Sequence, residues 1–205
     1  MREYYAPPML FEGQTAFVLG SGPSLTARDV ERLRHRNVIA VNTAATVAPS
    51  APVLFFNDSG WFAKHRHLVG AWSGLALTTA RSVLRDAPNV RCVLFENRPD
   101  FPQPGCGVFK VGRSSGHRAV SLAIGMGAMR VALLGFDMRE VNGRSHFHDE
   151  YRCRDPKLYA LSFIPGFDGW DAAARKVGVD IVNCTHGSAL TEFRFSDLDE
   201  VLTWN

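Results

Sequence analysis

The sequence predicts an α/β fold: one doubly wound domain over residues 1–205, Rossmann-like, with a mainly parallel sheet of six or seven strands. Three observations predict it. Short apolar, β-branched runs alternate with helical patterns along the whole chain. Several of those runs are apolar at every position, as strands covered by helices on both faces must be. The first run opens into Gly20-Ser21-Gly22-Pro23-Ser24, a glycine-rich turn ahead of a helix, which is where α/β domains commonly hold a phosphate.

Taken in order, the expected strands are Thr15–Leu19, Val38–Val41, Val53–Phe56, Leu75–Thr78, Arg91–Phe95, Arg130–Leu134 and Val179–Val182. Helical spacing covers 27–36, 59–70, 117–128 and 157–177. Thr26 and Asp29 make a capping box at the first helix, with Leu25 and Val30 as the hydrophobic staple around it. The helix therefore starts late and leaves Gly20 to Leu25 as a true loop. Asn97–Gly107, with three prolines and two glycines, reads as irregular, and so does Arg139–Arg154.

Composition narrows the function. A formal charge of +3, with basic residues spread along the chain, gives no surface for nucleic acid. No run approaches the roughly 20 apolar residues of a membrane span, and MREYYAPPML lacks the pattern of a signal peptide. Cys92, Cys106, Cys153 and Cys184 are widely spaced; Cys92 lies in one strand-like run and Cys184 ends another. Buried thiols and a reducing, cytoplasmic setting are expected. A homo-oligomer is compatible with this composition.

The loop at 20–24 is not the dinucleotide fingerprint. That motif needs a third glycine where Leu25 stands and an acid after the second strand, where this chain has Asn42. Nor does Gly-Lys-Ser/Thr follow, so it is not a P-loop. An anion-binding turn is expected, and a bulkier residue at Gly22 is expected to block the ligand and leave the fold intact. In a parallel sheet the ligand lies at the carboxyl ends of the strands. Those ends hold Gly20 to Ser24, Asn42, Asn57 with Asp58, Thr78 with Thr79, and Gly135 to Asp137. Ser114, Ser115 and Gly116 precede a helix, with Ser115 as its cap, and form a second oxyanion cradle.

His146 and His148 lie in SHFHDEY, within a polar loop long enough to act as a lid directly after Asp137. On a helix, a His-x-His pair points its rings about 200° apart, so this is no helical zinc motif and no metal site is assigned. A ring facing the cleft would act on a phosphate or an acceptor hydroxyl. His186, after the last strand, is a further candidate.

Together FVLGSGPSL, Asn42, SSGHRAVSLAIGMGAMRVALLGFDM, NGRSHFHDEY and NCTHGSAL resemble one Rossmann-like group over roughly residues 15–190. The group includes the bacterial sialyltransferases that use CMP-activated sialic acid and the related 6-hydroxymethylpterin diphosphokinase-like proteins. The resemblance implies that Gly20, Ser21, Gly22, Pro23 and Ser24 line the donor's phosphate or ribose, and that Asn42 contacts the nucleotide or the transferred group. It implies Ser114, Ser115 and Gly116 at the nucleoside and Asp137 by the ribose or base. In the sialyltransferases a tyrosine pair steadies the leaving phosphate, and His146 falls where one such tyrosine would stand. Their catalytic histidine is expected near Ile164–Asp168, where this chain has none. Asp168, His148 or His186 then takes the base role, and the sequence selects none of them.

Three functions follow. The first is a transferase that uses a nucleotide-sugar donor of CMP type and a small-molecule or glycan acceptor. The second is a diphosphokinase-like phosphotransferase, needing Mg²⁺ at carboxylates such as Asp58 and Asp137. The third is a non-catalytic nucleotide-binding protein of the same fold.

Overall fold

The computed structural model describes residues 4–97, 101, 103–105, 107–150, 155 and 157–204. Eight parallel strands form one sheet: β1 (Thr15–Leu19), β2 (Asn37–Val41), β3 (Val53–Phe56), β4 (Leu75–Thr78), β5 (Val90–Cys92), β8 (Arg130–Leu134), β9 (Asp180–Asn183) and β10 (Arg194–Phe195). Their order is β10-β9-β8-β1-β2-β3-β4-β5. The chain winds outward from β1 in one direction as far as β5 and in the other through β8, so the topology switches between β1 and β8. Crevices form at such a point, at the carboxyl ends of the strands.

Alternation along the central strands sorts their side chains to two cores. Ala16, Val18, Ile39, Val41, Val53 and Phe55 face α5 (Ser115–Gly125) and α6 (Trp170–Lys176). Phe17, Leu19, Val38, Ala40, Leu54 and Phe56 face the other layer. That layer is built from α1 (Ala27–Arg32), α2 (Ala44–Val47), α3 (Ser59–Lys64), α4 (Arg66–Gly70) and α7 (Leu198–Leu202). Both sets are fully buried, which is why the sequence shows apolar runs rather than strict alternation.

The sheet has one strand more than the upper expectation, because the two-residue β10 adds an edge. The expected strand at Arg91–Phe95 breaks at Val93. Val93 donates its N–H to Thr78 at 2.9 Å. Beyond it, β6 (Leu94–Glu96) leaves the sheet to pair with β7 (Val108–Lys110). Helix 27–36 stops at Arg32, with Leu33 as cap and His35 in the left-handed region at φ 64°. Thr26 accepts from the Asp29 N–H at 3.1 Å, and Leu25 and Val30 pack in the same core.

The expected helix over 157–177 divides into a π-helical turn at Tyr159–Phe163, a 3₁₀ turn at Pro165–Phe167, and α6. Pro165 has no N–H to give, and the preceding Ile164 N–H reaches back five residues to Tyr159 at 2.9 Å. Gly169, at φ 77°, then turns the chain into α6. Cys92 is buried and Cys184 half-buried, both as free thiols, while Cys106 and Cys153 lie outside the described residues. Among the described residues no helix is long and apolar enough to cross a membrane.

Candidate functional site

At the β1/β8 switch point lies a cleft of about 400 Å³. Its floor is the carboxyl ends of β1, β2, β3 and β8, and one wall is the start of α5. Of the residues singled out from sequence, the structure brings Gly20, Ser21, Gly22, Asn42, Asp58, Ser114, Ser115, Gly116, Asp137 and His146 to its lining. Asn57 and Phe136, from the same set of strand ends, line it too, and Tyr159 and Phe163 complete the aromatic wall.

The glycine loop is built differently from an open anion nest. The Gly20 N–H donates to the Leu134 carbonyl and the Gly22 N–H to the Gly135 carbonyl, both at 2.8 Å. The Ser24 N–H and hydroxyl go to the Asp137 carboxylate, at 3.2 and 2.8 Å. Three alternate N–H groups are thus taken by the segment after β8. A Cβ on Gly22 would lie 2.0 Å from Asp137 Oδ2 and 2.5 Å from the Gly135 carbonyl oxygen. Gly22 is therefore required by the crossing of two protein loops. The expectation that a larger residue there would spare the fold is corrected by these distances. Ser24 turns to the far side of its loop, and Pro23 is absent from the cleft lining.

Asp137 is buried, and burial raises its carboxyl above the usual carboxylate range while the Ser24 hydrogen bonds pull the other way. Asp58 caps α3, accepting from the Gly60 N–H at 2.6 Å and the Trp61 N–H at 3.4 Å. Both carboxylates that a metal-dependent phosphotransfer would use are thus engaged by protein donors. Among the described residues no group of three or more His, Cys, Asp or Glu side chains is placed to hold a metal ion.

Asn42, directly after β2, is in the left-handed region at φ 49°, and Met138, which also lines the cleft, sits there at φ 51°. Non-glycine residues adopt this conformation at some cost, and such positions gather at ligand sites. The Asn42 Oδ1 is buried without a hydrogen-bond partner. A buried acceptor without a partner costs stability, and this one belongs to a residue of the cleft floor.

Ser114, not Ser115, caps α5. Its hydroxyl faces the His117 N–H at 3.4 Å, and its own N–H donates to His117 Nδ1 at 3.2 Å, a capping box with histidine in the third position. Sequence reasoning passed over His117 because that position ordinarily carries Glu or Gln. With Nδ1 accepting, the ring proton sits on Nε2, which turns toward the Phe163 carbonyl without closing a well-aligned bond. The ring stacks on Phe167 at 3.7 Å, and burial lowers its pKa to about 4.

His146 enters the cleft from the loop after β8, its Nδ1 3.0 Å from the Ser145 hydroxyl. The same loop is tied to the glycine turn by the Phe147 N–H, which donates to the Ser21 carbonyl at 3.0 Å. His148 stacks behind His146 at 5.1 Å and is absent from the cleft lining. Burial, with a smaller contribution from His148, lowers His146 to about 4, and burial also lowers His148. Both imidazoles are neutral near pH 7 and able to accept a proton. Tyr159, missed from sequence, reaches the cleft through the π-helical turn and donates its hydroxyl to the Ser145 carbonyl at 3.4 Å. A π turn forced by Pro165 is a signal visible only once the helix is seen.

Asp168 and His186 are set apart from the cleft. Phe167 is buried against His117, which leaves Asp168 on the outer side of its turn, in a depression with Arg113, Gly166 and Trp170. His186 follows β9, one strand beyond β8, and pairs with Asp197 at 2.8 Å on the far side of the glycine loop. Neither shares the cleft with Asn42 and His146, so both are withdrawn as base candidates.

Fold and cleft define a doubly wound α/β protein with a cleft at the switch point. The particular fold is that of a bacterial sialyltransferase. The chain is similar to the sialyltransferase CstII from Campylobacter jejuni in complex with a substrate analogue, cytidine-5'-monophosphate: TM-score 0.54, 15% identity, 90% of this chain and 85% of that one covered. It is similar to the same degree to the sialyltransferase CST-II in complex with trisaccharide acceptor and CMP: TM-score 0.54, 14% identity, 89% and 85% covered. No family model and no curated protein sequence matches the chain.

Proposed function

We propose that this chain is a nucleotide-binding transferase that uses a nucleotide-sugar donor of the CMP-sugar type and a small-molecule or glycan acceptor. The observation that carries the proposal is the switch-point cleft itself, with Asn42 at its floor, aromatic and hydroxyl-bearing walls, and His146 facing in from the loop after β8. The shared fold supports it, since both solved neighbours hold CMP and one also holds a trisaccharide acceptor.

In this reading Phe136 and Phe163 flank the nucleoside, and Asn42 accepts a hydrogen bond from it or from the sugar. The start of α5, with the Ser114 and Ser115 hydroxyls, faces the leaving phosphate, where helix N–H groups and the dipole favour negative charge. The acceptor hydroxyl attacks the anomeric carbon of the sugar. The bond from that carbon to the phosphate oxygen breaks, and CMP leaves with the electron pair. His146 takes the hydroxyl proton. An anion beside this ring would raise its pKa from about 4 toward neutrality, where a base works best.

Calorimetric titration with CMP, CDP, UDP, GDP and ATP, each with and without Mg²⁺, tests the nucleotide, and release of CMP from CMP-sialic acid tests the reaction. Metal-independent binding of CMP is expected. A response to ATP only with Mg²⁺ replaces the proposal with the phosphotransferase reading, and silence throughout overturns both. His146→Ala is expected to lower turnover about 100-fold or more while the Kd for CMP stays within about threefold. His148→Ala should have a smaller effect, because that ring supports His146 from behind. Equal turnover in His146→Ala and wild type removes the histidine from the chemistry.

A further inference from the structure

Asn57 stands at the end of β3 and lines the cleft, and its side-chain oxygen accepts from two donors, the Thr79 hydroxyl and Arg118 Nη1. A guanidinium can only donate, so the atom it touches must be the amide oxygen, and the orientation of Asn57 is fixed by chemistry. The amide NH₂ is what remains to meet a ligand. Arg118 reaches Asn57 from the first turn of α5, half-buried, with its guanidinium over the Phe95 ring at 5.7 Å. No acidic side chain pairs with it among the described residues, and its Nε is buried without a partner. A cation drawn out of water with only a neutral partner is costly.

We propose that Arg118 is a positioning residue: it locks Asn57 as a hydrogen-bond donor and sets a positive charge behind it, so that this wall of the cleft selects an anionic oxygen of the ligand. The proposal rests on the nucleotide-binding reading above. Arg118 does not touch the ligand; it polarises the amide that does. The cleft then offers two complementary groups on neighbouring strands, the Asn42 acceptor and the Asn57 donor. The anionic oxygen is either the donor's phosphate or a carboxylate on the transferred sugar.

The near-isosteric Asn57→Asp variant separates these roles. Its carboxylate still accepts from Arg118 and Thr79, so the melting midpoint should hold or rise through the new ion pair. It has no proton to offer and adds a negative charge facing the ligand, so affinity should fall by about tenfold or more. Titrations with cytidine, CMP and CMP-sialic acid tell the sources apart. A loss for CMP but not cytidine identifies the phosphate, and a loss for CMP-sialic acid alone identifies the carboxylate. Arg118→Met completes a cycle: combined with Asn57→Ala, it should bind no more weakly than Asn57→Ala alone. Wild-type affinity in Asn57→Asp, or additive losses in the double variant, overturns the proposal. A clear drop in the Asn57→Asp midpoint overturns the contact between Arg118 and Asn57 itself, and that readout needs no ligand. Wild-type protein that binds neither CMP nor CMP-sialic acid overturns the nucleotide reading, and the ligand role of Asn57 with it.

Discussion

Gly22→Ala is expected to destabilise the protein by about 3 kcal/mol, and Gly22→Val by more, before any ligand is added. The added Cβ would fall 2.0 Å from Asp137 Oδ2 and 2.5 Å from the Gly135 carbonyl oxygen. The carboxylate must swing away to admit it, and with it go the bonds to the Ser24 N–H and hydroxyl. The Gly135 oxygen belongs to the backbone and can move only by shifting the end of β8. For a chain of this length each kcal/mol shifts the midpoint by about 2–4 °C, so a thermal melt should show a fall of roughly 10 °C. Ligand binding should fall as well, since Gly20, Ser21 and Asp137 all line the cleft. A Gly22→Ala protein that melts within a degree or two of wild type would show that the two loops do not cross as tightly as described.

The same glycines show how far the sequence could be read. Gly20 and Gly22 mark the turn after β1, and the turn is there. What the glycines accommodate is a segment more than a hundred residues away, and the sequence carries no sign of that contact. The strands were legible because the sheet is buried on both faces, and Thr15–Leu19, Val53–Phe56, Leu75–Thr78 and Arg130–Leu134 fall where expected. The segment 157–177 was less so, because Pro165 turns one expected helix into three short pieces and carries Tyr159 and Phe163 to the cleft. Strand ends gave Asn42, Asn57 and Asp137 as a set. Their separate surroundings, a left-handed turn at Asn42, a guanidinium bonded to Asn57 and a buried acid holding a loop at Asp137, depend on which neighbours reach them from α5 and from the glycine turn.

Stability is expected to fall as the pH drops from about 6.5 to about 4, and His117, a fully buried histidine, is one source. Its folded pKa of about 4 lies below the unfolded value near 6.5, so the unfolded chain binds the proton more readily. Above about 6.5 both states hold neutral imidazole and stability is insensitive to this group. Through the interval it declines, and below about 4 the loss is complete, about 3 kcal/mol for a ring as fully buried as this one. His146 and His148 act with the same sign. Asp137 acts with the opposite sign, because its raised folded pKa makes the native state the better proton acceptor as the pH falls toward the carboxylate range. Urea unfolding at intervals from pH 7.5 to pH 4 would measure the sum. His117→Gln isolates one contribution, since glutamine keeps the side-chain acceptor that the Ser114 cap requires and does not titrate. Loss of the stack on Phe167 should cost that variant about 1–2 kcal/mol at pH 7.5. Its disadvantage should shrink through the interval and reverse near pH 4, where wild type carries the cost of charging a buried ring. Parallel curves for the two proteins would show that His117 titrates normally in the folded chain.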